Sequence, residues 1–168
     1  MRDMVSDIAI LIAILFLVML GPVYQNFETA DRLSASIAKE TINEYNKLIR
    51  KQGYIEQSTY LNFLTDLSLS GEIYDVKLVH TSRLAYPSSK NSEDYEIHEI
   101  KYSNDIILNQ IKDGKSKYTM RYGDDFRIDI KETKVAPSRL LGDMFYNKIS
   151  STLVTYTSAG MVENEVKE

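Results

Sequence analysis

The chain has no cysteine, only two histidines and no long cluster of basic residues. The absence of cysteine excludes disulfide bonds, thiol catalysis and thiolate metal sites, so packing alone must hold any folded domain together. A net charge of −4 at pH 7 without a basic cluster argues against nucleic acid as a partner. The motifs of serine hydrolases, zinc peptidases and phosphate-binding loops are also missing. We therefore expect neither an enzyme nor a cofactor.

A further absence is local, because no charged residue occurs between Asp7 and Glu28. A helix of the 20 residues 8–27 would be about 30 Å long, which matches the hydrocarbon core of a bilayer. A cleaved signal would need a basic start and a small-residue cleavage site, and neither is evident. A core helix of a small soluble domain would not be apolar on every face, as residues 8–20 are. The run therefore predicts a retained transmembrane helix.

The orientation of this helix follows from the few charges near the amino end. Arg2 and the terminal amine favour a cytoplasmic amino terminus, and no second apolar run follows. We expect a single-pass cell-membrane protein with a short cytoplasmic tail and a transmembrane helix over residues 1–26. Residues 27–168 should form one extracytoplasmic α+β domain, in which residues 27–51 continue the helix.

The transmembrane helix is expected to continue into the domain as one rod over residues 4–51. Gly21 and Pro22 should bend it, because proline removes a backbone donor and clashes with the preceding turn. Beyond the bend, apolar residues recur at three- and four-residue spacing, and the helix should bury this stripe and end at Gly53. The stripe comprises Ala30, Leu33, Ile37, Thr41, Tyr45 and Leu48, widened by Ile42 and Ile49.

The remaining sequence predicts short helices and strands around the rod. Helices should begin at Ser58, at Asn104 and at Pro137, with the first two residues as caps. Strands are expected over residues 72–84, 95–102, 118–122, 126–135 and 152–162, and the third and fourth should pair across a turn at Gly123-Asp124. The fold class is α+β, with an antiparallel sheet on the soluble half of the long helix. Four residues of the first short helix are expected to face inward, namely Tyr60, Leu61, Leu64 and Leu67. The apolar residues carried by the other two helices are Ile106, Ile107, Leu108, Ile111, Leu140, Leu141, Met144 and Phe145.

The residues with metal-binding or catalytic chemistry are few, and each has a structural explanation. His80 and His98 fall on different predicted strands, and a metal site would need a third ligand that the sequence does not indicate. Asp124, Asp125 and Asp129 lack the spacing of a calcium loop, and Gly-Asp is ordinary turn chemistry. We therefore expect no metal site and no catalytic residue.

The amino-terminal end of the helix carries two features that bear on assembly. Asp3 and Asp7 directly precede the uncharged run. They are either hydrated acids at the cytoplasmic headgroups or partners of an amine or arginine of a neighbouring subunit. Ala9 and Ala13 lie four residues apart on one helical face, where small side chains permit close approach of a second helix.

Three stretches of the chain carry a resemblance to a known family. They are the passage from the long helix to the first strand over residues 53–71, the strand opening Tyr122-Gly123-Asp124-Asp125-Phe126, and the closing strand over residues 156–162. Together with the short amino tail, the apolar helix with its Gly-Pro step and the small antiparallel domain, they resemble a type IV pilin or pseudopilin. The chain is most similar to the TadE-like minor pilins of tight-adherence (Flp) pilus systems, in their shorter Gram-positive form.

The resemblance implies a non-enzymatic structural subunit of a pilus or secretion-type assembly. Its partners would be membrane lipid, other pilin-like subunits and assembly platform proteins. Processed pilins carry a small residue, usually glycine, at the cleavage point and a glutamate five residues into the mature chain. Here no glycine precedes the apolar run, and neither Asp3 nor Asp7 lies in the matching frame. A minor, anchored or tip-associated component is therefore implied. The residues expected to anchor and bundle the helix are Ile8, Ala9, Leu11, Ile12, Ala13, Leu15, Phe16, Gly21 and Pro22.

Two other functions remain open from the sequence. The first is a stand-alone bitopic membrane protein with an extracytoplasmic sensory or ligand-binding domain. The second, a membrane-bound enzyme, would require a pocket with converging carboxylates that the sequence does not indicate.

Overall fold

The computed structural model describes residues 2–87, 95–114, 116–146 and 152–165. These residues form an α+β fold, in which a long amino-terminal helix lies on antiparallel sheets, as predicted. The elements in chain order are α1 (Arg2–Gln52), β1 (Tyr54–Ile55), α2 (Gln57–Ser68), β2 (Tyr74–Pro87), β3 (Tyr95–Tyr102), α3 (Asn104–Ile111), β4 (Tyr118–Thr119), β5 (Asp125–Glu132), α4 (Pro137–Tyr146) and β6 (Thr155–Met161).

The α1 helix is continuous over 51 residues, so the predicted rod is confirmed. It passes through Gly21 and Pro22 without interruption, and the predicted bend at that point stays a prediction. Arg50 and Lys51 lie in its last turn, where positive charge complements the helix dipole. Gly53 follows with a φ of 74°, the left-handed conformation that commonly ends helices.

The buried face of α1 differs from the predicted apolar stripe. Ala30, Leu33 and Leu48 are exposed, although the prediction placed them in the core. The prediction did not include Asn46, yet Asn46 is buried against the sheet, where its Nδ2 donates to the carbonyl oxygen of Ser158 at 3.0 Å. The helix therefore turns a partly polar face to the sheet. The buried residues on this face are Ala38, Thr41, Ile42, Asn46 and Ile49.

Four antiparallel strands form the main sheet in the order β3-β2-β5-β6. In the register of this sheet His80 of β2 lies opposite Tyr102 of β3 and opposite Phe126 of β5. Phe126, Ile128 and Ile130 alternate with more exposed residues and are fully buried, which confirms the predicted alternation of this strand. The face of the sheet that carries them packs on the second half of α1.

The predicted hairpin across Gly123-Asp124 does not form. Instead β4 pairs with β1 in a separate two-stranded sheet, whereas β5 pairs with β2 and β6. The turn is closed by a side chain, because the carboxylate of Asp124 accepts the backbone N–H of Arg121 at 3.0 Å. Local turn chemistry was correctly identified, but strand partners depend on contacts across the whole fold.

The predicted caps of the two short helices are wrong. The α2 helix begins one residue before Ser58, and α3 follows Ser103, with Asn104 as its first residue. Neither helix has a side-chain cap hydrogen bond. The Oδ1 atom of Asn104 instead accepts the N–H of Leu78 at 3.1 Å, which joins α3 to β2.

The short helices bury only part of their apolar residues. Those that lie in or against the core are Tyr60, Leu64, Leu67, Ile107, Leu108 and Ile111. Leu61 was predicted to face inward but is exposed, and Ile106, Leu140 and Met144 are exposed as well. Phe63, which the prediction missed, fills the core from α2. Leu141 is half-buried, and the side chain of Phe145 lies outside the described residues.

Candidate functional site

The apolar segment of α1 over residues 8–19 is uncovered on every face. Large side chains that stay in water forgo roughly 1.5–3 kcal/mol each of burial free energy. This surface therefore favours an apolar environment of lipid or of other helices. Among the predicted anchoring residues, Ala9, Ala13, Gly21 and Pro22 are exposed. The large ones expose 53–64% of their surface and are Ile8, Leu11, Ile12, Leu15 and Phe16.

Among the described residues, α1 is the helix whose length and composition suffice to cross a bilayer. The chain is therefore compatible with a single-pass membrane protein. Asp7 is exposed where the uncharged run begins, whereas the side chain of Asp3 lies outside the described residues. Of the two predicted acids, the structure therefore describes the side-chain environment of Asp7 only.

The apolar half of α1 leads directly into the packed half. Leu20 and Tyr24 are already half-buried on one side of the helix, and full burial begins at Ala38. The 18 helical steps from Leu20 to Ala38 correspond to about 27 Å along the axis. The exposed apolar segment and the helical part of the core therefore belong to one continuous helix.

A second candidate site is a buried cluster of polar side chains on β2. His80 is only 4% exposed and lies between Tyr118 and Asp124. Its Nε2 atom is 2.9 Å from Oδ2 of Asp124, and its Nδ1 atom is 2.6 Å from the hydroxyl of Tyr118. With the proton on Nε2, the ring donates to the carboxylate and accepts from the phenol. The imidazole also stacks on Tyr102, with the ring centroids 5.2 Å apart.

Asp124 connects three segments of the fold. Its Oδ1 atom accepts the backbone N–H of Arg83 in β2 at 3.1 Å, and its Oδ2 atom accepts the N–H of Arg121 in addition to the His80 bond. Its backbone carbonyl accepts the N–H of Val162, just beyond β6, at 2.7 Å. The preceding Gly123 has a φ of 90°, which favours glycine. The Gly-Asp step therefore forms a turn, and the hydrogen bonds of Asp124 also link β2, β5 and β6.

The environment of this cluster fixes the charge of its members. Burial acts to raise the pKa of Asp124, but hydrogen bonds from the Arg121 N–H, from His80 and from the Arg83 N–H outweigh it and hold the pKa below the usual range. Burial raises the pKa of the Tyr118 phenol, and the charges of Tyr102 and Asp124 raise it further. At neutral pH Asp124 is therefore an anion and Tyr118 is neutral.

The cluster has the order of a carboxylate–imidazole–hydroxyl relay, but its hydroxyl is poorly suited to nucleophilic attack. Tyr118 is 5% exposed, and its raised pKa disfavours the phenolate. The depression beside the cluster has a volume of about 280 Å³, slightly below the roughly 300–1,000 Å³ of typical ligand pockets. The geometry supports a hydrogen-bonded brace that stabilises the fold.

The other titratable residues considered in the sequence lie apart from this cluster. Over the residues that the structure describes, no group of three or more His, Asp or Glu side chains could hold a metal ion. His98 lies on β3, where its Nε2 atom is 3.9 Å from Oε2 of Glu96. Asp125 forms an ion pair with Arg83 at 2.6 Å. The sequence analysis considered Asp125 only together with Asp124 and Asp129 and did not predict this partner.

Sequence reasoning missed the His80 cluster because its members are far apart in the chain, with Tyr118 and Asp124 lying 38 and 44 residues after His80. One signal was available. His80 shares the inward face of an alternating strand with Val76 and Leu78, and a histidine that faces a core requires polar partners. The identity of those partners depends on the fold.

Comparison with protein-family models, with curated proteins and with solved structures found no match to this chain.

Proposed function

We propose that this protein is a membrane-anchored structural subunit, similar to a TadE-like minor pilin or pseudopilin, of a pilus or secretion-type assembly. It bundles with other subunits through the apolar half of α1. The observation that supports this proposal is the contrast within α1, which is uncovered on every face over residues 8–19 but forms the core of the domain from Ala38 onward. A helix that only anchored a domain would not need to continue into its core.

In this proposal the amino terminus lies in the cytoplasm and the α+β domain lies outside the membrane. The partners are membrane lipid, other pilin-like subunits and the platform proteins that assemble them. Because α1 is continuous, an axial displacement of its apolar half would move the sheet as one body. This property suits a subunit that is inserted into or extracted from a bundle.

The proposed contact face between helices contains Ala9 and Ala13. Both are exposed, and their four-residue spacing places them on one side of the helix. Gly21 leaves further room, since among the described residues no atom outside the adjoining helix turns lies within 4 Å of the position that a Cβ atom would occupy there. Small side chains allow two helices to approach closely in lipid, where packing contacts drive association.

Asp3 and Asp7 would pair across this bundle with the terminal amine or Arg2 of a neighbouring subunit. Asp7 is exposed at the edge of the uncharged run and has no described residue of opposite charge in its own helix turn. A carboxylate at this depth is stable when it is paired or hydrated. Pairing between subunits would also fix the axial register of the helices.

Cysteine crosslinking in native membranes tests the proposal directly. The chain has no cysteine, so each introduced residue is the single site of reaction. We expect Ala9→Cys and Ala13→Cys to form disulfide-linked dimers, or linked pairs with other subunits. Leu11→Cys and Leu15→Cys are matched controls, because they lie on the opposite side of the same exposed segment. They should crosslink several-fold less.

Depletion of the protein followed by imaging of surface fibres provides the functional readout. We expect fewer or shorter fibres, and restoration by the wild-type chain. Normal fibres together with no crosslink on either helix face would contradict the proposal and would favour a stand-alone sensory or ligand-binding protein.

A further inference from the structure

The α4 helix runs alongside α1 toward the apolar segment. At its beginning, the backbone N–H of Ser138 donates to Oδ2 of Asp31 at 2.9 Å. Farther along α4, a Cβ atom placed on Gly142 would lie 3.7 Å from the hydroxyl of Tyr24. As α4 advances, its contacts therefore move to lower residue numbers on α1. The two helices are antiparallel, and the carboxyl end of α4 points toward the amino-terminal half of α1.

The contacts of α4 reach into the uncharged run of α1. Tyr24 lies inside residues 8–27, which contain no charge. Tyr24 and Leu20 are half-buried, and their four-residue spacing places both on the side of α1 that faces Gly142. Residues 4–19 of α1 are all exposed. The second half of α4 thus lies level with the end of the segment proposed to span the membrane.

The side of α4 that faces away from α1 is apolar and uncovered. Leu140 is 56% exposed and Met144 is 81% exposed. Each lies two residues from Gly142, which corresponds to about 200° around a helix, so both point away from the face that contacts Tyr24. The exposed side chains are four residues apart and form one continuous patch.

We infer that α4 lies in the headgroup region of the bilayer, with the patch of Leu140 and Met144 in contact with lipid. This inference rests on the proposed membrane anchoring of α1. Lipid is the partner that the geometry favours, because the patch continues the apolar surface of α1 at the same level along the helix axis. An amphipathic helix that lies at a bilayer surface buries one apolar side and keeps its polar groups in water or against protein.

The charged residues of α4 agree with this depth. Arg139 is directed back to the domain, where its guanidinium pairs with Glu132 and donates to the carbonyl oxygen of Thr152 at 2.9 Å. Asp143 is half-buried and has an interaction partner. Neither charge interrupts the patch, but both favour the headgroup level over the hydrocarbon core.

Lipid-dependent quenching of a fluorophore tests this inference on the full-length chain in liposomes of phosphatidylcholine and phosphatidylglycerol. Single cysteines are introduced at Leu140, Met144, Ile12 and Met161, and each is labelled with an environment-sensitive fluorophore. Quenching is then measured with lipids that carry a nitroxide either near the headgroup or deeper, along the acyl chain. Ile12→Cys reports the proposed anchor, and Met161→Cys is a matched control for Met144→Cys. Met161 is 51% exposed, and its carbonyl oxygen accepts a hydrogen bond from Nε of Arg50 in the last turn of α1. It is therefore exposed at the end of the domain farthest from the proposed membrane.

We expect Met144→Cys and Leu140→Cys to show a blue-shifted emission and several-fold more quenching than Met161→Cys. Unquenched emission at both α4 positions, with Ile12→Cys quenched by a deeper nitroxide, would overturn the inference and leave the anchor intact. A blue shift without lipid quenching that disappears when the protein is diluted in lipid would also overturn it, because a second copy would then cover the patch. Loss of quenching at Ile12→Cys would instead contradict the proposed membrane anchoring. Near-ultraviolet circular dichroism confirms that each labelled variant is folded.

Discussion

The carboxylate of Asp124 lies 2.9 Å from Nε2 of His80, and both side chains are at most 5% exposed. The same carboxylate accepts two partly buried backbone N–H groups, those of Arg83 and Arg121. A single side chain therefore pairs one buried and two partly buried donors, which belong to β2 and to the turn before β5. Such a residue contributes to stability chiefly through what its removal leaves unpaired.

Substitution Asp124→Ala should lower the free energy of unfolding by about 2–3 kcal/mol, because a buried donor left unpaired costs roughly 1–3 kcal/mol and the two partly buried N–H groups add a smaller loss. The measurement is urea unfolding of the full chain in mild detergent. Tyrosine fluorescence is the signal, since the chain has twelve tyrosines and no tryptophan.

Asp125→Ala is the matched control for this substitution. Asp125 pairs with Arg83, but both side chains are well exposed, and an exposed ion pair contributes less than about 1 kcal/mol. An equal loss of unfolding free energy in the two variants would contradict the stabilising role that we assign to the hydrogen bonds of Asp124.

Acid should remove the contribution of Asp124. Its pKa in the folded state is below the unfolded value of about 3.9, so its stabilisation is fully present above that pH and is lost as the pH falls through the folded pKa. The wild-type chain should therefore lose more unfolding free energy between neutral and acid pH than Asp124→Asn, which cannot titrate. Parallel pH profiles for the two proteins would be inconsistent with a depressed pKa.

Much of the architecture could be predicted from the sequence, because it depends on local patterns. The uncharged run, the three- and four-residue spacing and Gly53 gave α1 to within two residues at either end. Alternation gave β3 and the inward face of β5. These features depend on helix geometry and on the period of two in strands, which hold in any fold.

The predictions failed where long-range contacts decide. The pairing of β4 with β1 and the rotation of α1 toward Asn46 depend on elements that are remote in sequence. The His80 cluster is of the same kind, since nothing near His80 in the chain identifies Asp124 as its partner. The exposure of Leu140 and Met144 on α4 could not be predicted either, because a helical pattern does not show which side of the helix meets the core.

Alkaline unfolding should depend on Tyr45. Burial, and then the hydrogen bond that its hydroxyl donates to Asp66 at 2.6 Å, raise the pKa of Tyr45 to about 12. The stability that this raised pKa represents is present below about pH 10 and is lost as the pH rises through the folded value. Tyr45→Phe should therefore shift the alkaline transition to higher pH, as followed by the ultraviolet absorbance of the phenolate together with circular dichroism.

Tyr122→Phe serves as the control for Tyr45→Phe, because Tyr122 is 69% exposed. Its loss should leave the alkaline transition unchanged. An identical shift in both variants would argue against a specific role for the Tyr45–Asp66 bond.

Two glycines with similar φ values allow the cost of backbone strain to be distinguished from the cost of a steric clash. Gly53 and Gly71 have φ values of 74° and 80°. A Cβ atom at Gly71 would meet no atom within 4 Å, whereas one at Gly53 would lie 2.3 Å from the carbonyl oxygen of Asn164. Gly71→Ala should cost only the roughly 1–2 kcal/mol of a left-handed alanine. Gly53→Ala should cost clearly more and should displace the segment around Asn164.

Thermal unfolding of both glycine variants checks this difference, and exchange of the backbone amides of residues 162–165 locates it. Faster exchange in that segment is expected for Gly53→Ala alone. The same cost and the same exchange in both variants would mean that the carboxyl-terminal segment does not pack on Gly53.

The carboxylate of Asp31 should hold the beginning of α4 against α1. Ser138 is in the first turn of α4, where backbone N–H groups have no partner within the helix, and its N–H donates to Asp31. Asp31→Ala should therefore weaken α4 by about 1 kcal/mol, a typical contribution of a side chain that caps a helix amino terminus. Hydrogen exchange in α4 of the full chain should become about fivefold faster, since 1.4 kcal/mol corresponds to tenfold.

Glu28→Ala is the control, because Glu28 pairs with Arg32 within α1 and its loss should leave exchange in α4 unchanged. If α4 exchanges at the same rate in both variants, then Asp31 does not position it, and the level at which Leu140 and Met144 meet the bilayer is set by other contacts.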